Sequence, residues 1–454
     1  MASKQVDVII AGAGPAGLMC ALTAARNGLS CVVLESCKAA DHGHNHVLEV
    51  EETVFQRCDV PEPSGEEVPY IVRGLKAFSA SGWQAFETDS HPMHIVILRH
   101  TVRRLAGYVK EAGVPIRFGV KAVQPMMEGD CVTGVVIRDA RGNEKILRGR
   151  MVVDATGYAA AITRKLPASC NVDFTDDPVD RIIASVRLYR IDVDRARQAA
   201  EQGQFKPEVL HHTIGKYGTF STLSFLVSLE NGNAFTLAGI KEENFPPTPK
   251  EALDELVKQF PFFQDIKCQS SSPIRIRRAS LKLVCDGFAS IGEAASMVIP
   301  LQASGVTSSL LAGHSLGEHL AKVLTAEGTP TTAALWPWNA QYQRDRGAVL
   351  ASYDAQRRAL QKMHPEKETE PLFKAGITQA EDIYLALGAK PLRISAATLP
   401  ARLKGMAQLP RVAAKMAPGL ARVPLVEFHW KRCPLTWNEK TFASWKRTAQ
   451  MLLP

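Results

Sequence analysis

The run Gly12-Ala13-Gly14-Pro15-Ala16-Gly17, directly after Val6-Asp7-Val8-Ile9-Ile10-Ala11, limits what this chain can fold into more than any other feature. Five of the six residues before it are apolar and most of these are β-branched, and they read as a buried parallel strand. A helical pattern through Leu18, Leu22 and Ala25 follows and stops near Gly28. Cys31-Val32-Val33-Leu34-Glu35 then reads as a second strand that ends in an acid. Each piece has a mechanical reason. Gly12 permits a tight turn, Gly14 lets backbone approach a pyrophosphate, and Gly17 lets the helix lie close to the strand. With Ala13, Pro15 and Ala16 they form a loop that opens a helix, whose N-terminal dipole end suits phosphates. Glu35 follows Gly17 at nearly the spacing of a ribose-binding carboxylate. Strand, helix, strand and acid in this order predict a dinucleotide site, without separating FAD from NAD.

Composition sets the frame. The chain has 454 residues, 46% hydrophobic and 22% charged, which suits a soluble protein with more than one core. No apolar run is long enough to span a bilayer, and no signal-peptide pattern precedes Val6. A cytoplasmic location is expected, with peripheral contact at the inner membrane surface as the variant. The nine cysteines are scattered, with no C-x-x-C pair. That speaks against zinc ribbons and iron–sulfur clusters and suits a reducing compartment, so no metal is expected. Net charge is +8, yet the stretch from Lys390 onward carries +10 by itself. Such a basic face suits acidic lipid or an acidic redox partner, or is only solvated; a nucleic-acid partner is not expected. In this tail Leu399, Leu403, Met406 and Leu409 alternate with Arg402, Lys404 and Arg411. Packing against a core is favoured for these amphipathic pieces over lying on a membrane. Pro391, Pro400, Pro410, Pro418 and Pro424 are expected to cut the tail into short helices.

Three further segments carry a resemblance. Met151-Val152-Val153-Asp154-Ala155-Thr156-Gly157 is an apolar strand ending in D-A-T-G, preceded by a small meander from Val132 to Leu147. Gly287 to Ala295 contains Gly292-Glu293. Pro300 to Val306 leads into a helix from Thr307 to about Leu324. With the opening loop, these segments resemble the FAD-dependent reductases and hydroxylases of the p-hydroxybenzoate hydroxylase-type fold. The geranylgeranyl reductase-like branch is the nearest pattern, and the resemblance spans roughly residues 5 to 325.

The resemblance implies an α/β chain. Its Rossmann-like FAD-binding domain is discontinuous, at residues 1–70, 95–180 and 275–345. An inserted antiparallel-sheet (α+β) substrate domain takes 71–94 and 181–274, with strands at 182–191, 221–229 and 233–240. A helical, basic C-terminal region takes 346–454. It also implies that Gly12, Gly14 and Gly17 hold the pyrophosphate and Glu35 the ribose, that Val123 lies at the adenine, and that Ala155 and Gly157 lie beside the cofactor. Gly292 and Glu293 take the place of a Gly-Asp pair at the ribityl chain. Pro300, Gly305 and Val306 lie by the flavin ring, at a helix start that can stabilise negative charge. Arg99, ahead of a helical run from Val102 to Val109, is implied as a cofactor-binding arginine. Two residues depart from the pattern: Glu293 replaces an aspartate, and Ala303 stands where many hydroxylases have glycine. The Y-x-W-x-F-P stretch of many geranylgeranyl reductases is missing, which weakens an isoprenoid substrate. Trp336-Pro337-Trp338 does not match the halogenase motif either.

The activity implied is hydride transfer through flavin by a reductase or dehydrogenase acting on a largely apolar, lipid-like small molecule, with NAD(P)H as a transient donor. A flavin monooxygenase is the alternative. Within Asp41-His42-Gly43-His44-Asn45-His46, His46 is the candidate proton donor, with a pKa expected near neutrality. Two readings come from other classes. Gly313-His314-Ser315-Leu316-Gly317-Glu318 matches the G-x-S-x-G of acyltransferases, but Val306 to Ala312 ahead of it reads as helix and not as the strand such an elbow needs. A flavoprotein without turnover, carrying electrons to a partner, would lack a pocket between the lobes.

Overall fold

The computed structural model describes residues 6–89, 93–324, 329–388, 390–391 and 393–453. Its first three elements follow the sequence pattern: β1 (Val6–Ala11), α1 (Pro15–Arg26) and β2 (Cys31–Glu35). β1 lies between parallel neighbours, β2 on one side and the strand Glu144–Asp154 on the other. Val8 to Ala11 are fully buried, which is why this strand is apolar at successive positions and does not alternate. The sheet runs Val284–Cys285, Phe288–Ser290, Glu144–Asp154, β1, β2, Ile116–Phe118. The second arm of the meander and the D-A-T-G strand, which the sequence reading separates, are one continuous strand of 11 residues, Glu144–Asp154. Its first part pairs antiparallel with Cys131–Arg138, and its second part, from Gly149, pairs parallel with β1.

A second sheet of seven strands has the order Phe263–Arg275, Arg181–Ile191, Asn233–Ile240, Thr222–Ser228, Val209–Ile214, Gly74–Phe78, Gln84–Thr88. Three of these strands answer the expected segments. The strand Phe263–Arg275 was not legible because it is a half-exposed edge with Gln264, Asp265, Lys267 and Gln269 in it. The sheet is antiparallel apart from the parallel pair Val209–Ile214 and Gly74–Phe78. Helices Val193–Glu201 and Pro249–Lys258 cover one face, the second opening with a capping box between Thr248 and Glu251. The other face looks toward the nucleotide loop.

The helix Val306–Leu324 packs against α1. A side chain at Gly313 would put its Cβ 2.3 Å from the Ala16 carbonyl oxygen, and one at Gly317 would come within 2.9 Å of the Cys20 oxygen. The G-x-S-x-G match is therefore a helix-contact surface. Ser315 sits within this helix, donating to the Ala312 carbonyl and accepting from the Trp338 indole at 3.0 Å.

The tail corrects one expectation. Pro400 and Pro410 do open helices, Leu399–Gln408 and Pro410–Trp430, but Pro418 and Pro424 run inside the second of these without ending it. Their lost backbone bonds are offset by packing. Met416, Val423, Val426 and Trp430 are buried, and Gly419 lies so close to Ala359 that an added Cβ would sit 2.3 Å from the alanine methyl. Trp430, Phe442 and Trp445 join the main core, and buried Trp336 donates its indole N–H to the Pro434 carbonyl at 2.7 Å. Gly313→Leu should therefore force α1 and its partner helix apart, costing about 3 kcal/mol in a denaturant-unfolding measurement. Ser315→Ala should cost much less and leave activity intact.

Candidate functional site

A cavity of about 820 Å³ lies between the opening loop and the second sheet. Its nucleotide end follows from the first turn. Gly12 has φ +107°, and its Cα faces the Ala155 carbonyl so closely that a Cβ would sit 2.2 Å from that oxygen. Gly17 is packed equally tightly, its would-be Cβ 2.0 Å from the Gly12 oxygen, and it is shielded from the cavity. Gly14 differs: nothing lies within 4 Å of the place its Cβ would take, and no side chain caps α1. A bare helix start thus opens into free space, which suits the pyrophosphate of FAD. Glu35 accepts hydrogen bonds from the Ala13 N–H at 2.9 Å and the Cys37 N–H at 3.0 Å. Burial alone would raise its pKa, but these backbone donors outweigh it and hold the carboxyl below its ordinary value. The cavity wall nearby comes from Val120, Lys121 and Ala122 rather than Val123, where a bulge interrupts the pairing of the strand.

At the other end, Gly292, Glu293, Ala155, Gly157, Gly305 and Val306 line the cavity together; Pro300 is buried behind them. Ala303 takes the left-handed conformation, φ +56°, that glycine would adopt without strain. α1 and the helix Val306–Leu324 run parallel, with Gly313 against Ala16 and Gly317 against Thr23. Val306 therefore projects about 5–9 Å beyond the start of α1, at 1.5 Å per residue. Residues at the first helix start would hold phosphates, and those at the second would face a group further along. Glu293 faces this region with Oε1 unpartnered among the described residues. Burial pushes its pKa up to about 7, opposed by Arg275.

Two residues escaped the sequence reading. Asp154, fully buried, accepts hydrogen bonds from Thr156, Ile162 and Thr163, and so shapes the turn carrying Ala155 and Gly157. Arg275, at the end of a strand of the second sheet, donates to the carbonyls of Tyr158 and Glu293 and stacks on the Tyr158 ring. It ties that sheet to the cofactor loops. The only signal for it was the basic run Arg275-Ile276-Arg277-Arg278. Arg99 lies in the first turn of the helix Leu98–Glu111, earlier than the expected helix start. Its guanidinium donates to the Ala40 carbonyl at 2.6 Å, outside the cavity wall, as does that of Arg103 at 2.8 Å. The pair holds the loop that delivers His42, His44 and His46 to the cavity. His46 shares a 2.8 Å hydrogen bond with Ser270 through Nδ1. Burial and neighbouring His44 lower its pKa to about 4, well below the near-neutral value expected of a proton donor. At neutral pH His46 is then an uncharged imidazole, hydrogen-bonded to Ser270. Bound FAD would supply the two-electron chemistry, and these residues supply position and exclusion of water.

Two outcomes test this geometry. A Cβ at Gly14 meets no protein atom within 4 Å, so Gly14→Val should fold with an unchanged thermal midpoint when compared flavin-free, yet purify colourless. The second concerns pH. Unfolded, Glu293 ionises near 4.5; folded, near about 7. Between these values the native state holds a proton that the unfolded chain has lost, so stability falls as pH rises through that window. Glu293→Gln should stabilise the flavin-free protein by about 1–3 kcal/mol at about pH 8 and hardly at all at about pH 5, read from denaturant midpoints.

Comparison with known proteins bears on the fold and the cofactor. The FAD dependent oxidoreductase family model matches residues 7–168. The digeranylgeranylglycerophospholipid reductase of Sulfolobus acidocaldarius is 23% identical over all of this chain and 98% of its own length. That of Methanosphaerula palustris is 25% identical over 75% of this chain and 82% of its own. Among solved structures, a geranylgeranyl bacteriochlorophyll reductase-like protein from Thermoplasma acidophilum superposes with a TM-score of 0.70 at 15% identity, covering 91% of this chain and 99% of that one. A flavin-dependent brominase shares the fold at a TM-score of 0.61 and 16% identity, covering 90% of this chain and all of that one. The chain is an FAD-dependent oxidoreductase, similar over its whole length to the geranylgeranyl reductase-like branch of these enzymes.

Proposed function

We propose that this oxidoreductase adds hydrogen across carbon–carbon double bonds of a prenyl lipid. The observation that carries the reading is the apolar sheet face within the cavity. Ile182, Ala184, Leu210, Ile214, Phe235 and Leu237 line the same space as Gly292 and Val306. Such a face excludes water and offers a flexible hydrocarbon a flat bed beside the flavin end. The reductases among its relatives favour hydrogenation over hydroxylation. NAD(P)H is the proposed electron donor, reaching the flavin transiently, with a small redox protein as the alternative.

The basic tail supports contact with a membrane that holds such a lipid. Leu403, Leu425 and Phe428 are more than half exposed, and the Arg432 guanidinium lies 3.3 Å from the centre of the Phe428 ring. Exposed apolar side chains beside cations suit an anionic lipid surface. Vesicles containing anionic lipid should therefore sediment the protein, and neutral vesicles should do so poorly.

The deciding experiment is anaerobic. Dithionite-reduced holoenzyme is mixed with a geranylgeranyl lipid, and the return of the oxidised flavin spectrum is followed while mass spectrometry reads the lipid. The expected result is flavin reoxidation with one hydrogen pair gained per double bond reduced. Stable reduced flavin with unchanged lipid would overturn the reading.

A further inference from the structure

The cavity face of the second sheet is apolar except at its two sides. Strand pairing aligns Ser270, Val186, Leu237, Ser224 and His212 in one row across five strands. At one end Ser270 holds His46, beside the loop that follows β2. At the other end His212 Nδ1 shares a 2.7 Å hydrogen bond with Ser224, and the Thr222 hydroxyl lies 3.2 Å from the same nitrogen. The neighbouring row runs Ser272, Ala184, Gly239, Thr222, Ile214. Its centre, Ala184 and Gly239, is a shallow trough within the cavity. Strands lie about 4.8 Å apart, so the polar groups at the two ends are separated by about 15–19 Å of apolar floor.

Alternation along the strand makes the placement of His212 specific. Its neighbour His211 points to the opposite face, where it stacks on Phe225 with ring centres 4.6 Å apart. His212, Leu210 and Ile214 point into the cavity. The Thr222 hydroxyl also lies 3.3 Å from His212 Nε2, and the two hydroxyls that this histidine holds can each donate to or accept from a further oxygen.

Resting on the prenyl-lipid reading, we propose that His212, with Ser224 and Thr222, anchors the oxygen-bearing end of an amphiphilic substrate. The hydrocarbon then lies along the trough, and the distance from the anchor sets which double bond reaches the flavin end. His212 is on this account a residue that determines specificity, acting at the polar end of the substrate.

The test uses the holoenzyme and two probes, geranylgeraniol and the hydrocarbon that lacks its hydroxyl. Binding is read from perturbation of the flavin visible spectrum, and partially reduced products are mapped by mass spectrometry. Wild type should bind the alcohol about tenfold more tightly than the hydrocarbon. His212→Leu should erase that preference, leave hydrocarbon affinity and flavin content unchanged, and scatter the position of reduction. The paired change Ser224→Ala with Thr222→Val should shift the products the same way, and serves if the His212 variant does not fold. A preference for the alcohol that persists in both variants overturns the anchor alone. No spectral response of wild type to either probe overturns the prenyl-lipid reading and the anchor with it.

Discussion

The close packing of two parallel helices organises this molecule. α1 and the helix Val306–Leu324 meet through backbone, because Gly313 and Gly317 remove the side chains that would hold them apart. Parallel contact places both N-termini at one end of the first sheet, and the longer helix extends further across the cavity. Each exposes unpaired N–H groups and a positive dipole end to the same space, at two depths. A dinucleotide laid across them would have its phosphates held at the first and its ring system at the second. The turn at Gly12, the Asp154 hub and the clamp by Arg275 all serve to keep loops clear of this double helix start.

Electrostatics in the cavity follow from its dryness. Where backbone donors converge, as at Glu35, a carboxylate stays ionised despite burial. Where burial outweighs them, as at Glu293, the proton is retained to about neutrality even with Arg275 beside it. His46 shows the same physics with the opposite sign, since desolvation drives the proton off an imidazole. The site thus holds few net charges around an apolar floor, which suits a hydrocarbon and suits a redox group that must be kept from water.

Much of the cofactor half could be read from residues alone, because its demands are local. Tight turns need Gly12, close approach needs Gly17, and a strand buried on both faces must be apolar throughout, as Val8 to Ala11 are. The substrate half was less legible. Phe263–Arg275 is a long edge strand without an apolar pattern, and the alignment of Ser270 with His212 arises only once five strands pair. Arg99 shows the limit of reading by resemblance: its backbone position is close to the cofactor loop, while its guanidinium is directed to Ala40 by the way the helix begins. Pro418 and Pro424 mislead for a related reason, since tertiary contact with the helix Ala348–Leu360 overrides a local helix breaker.

The aromatic cluster of Trp336, Trp430, Phe442 and Trp445 has a consequence for how the protein comes into being. It belongs to the same core as Val8 and Leu18, which are made more than 400 residues before Trp445. A ribosome releasing this chain in order holds the nucleotide-binding strands with one flank open until the final aromatics emerge. Contacts so distant in sequence are slow to close and leave apolar surface exposed meanwhile. Synthesis of this enzyme therefore contains a long interval in which chaperone capture competes with completion of its oldest layer.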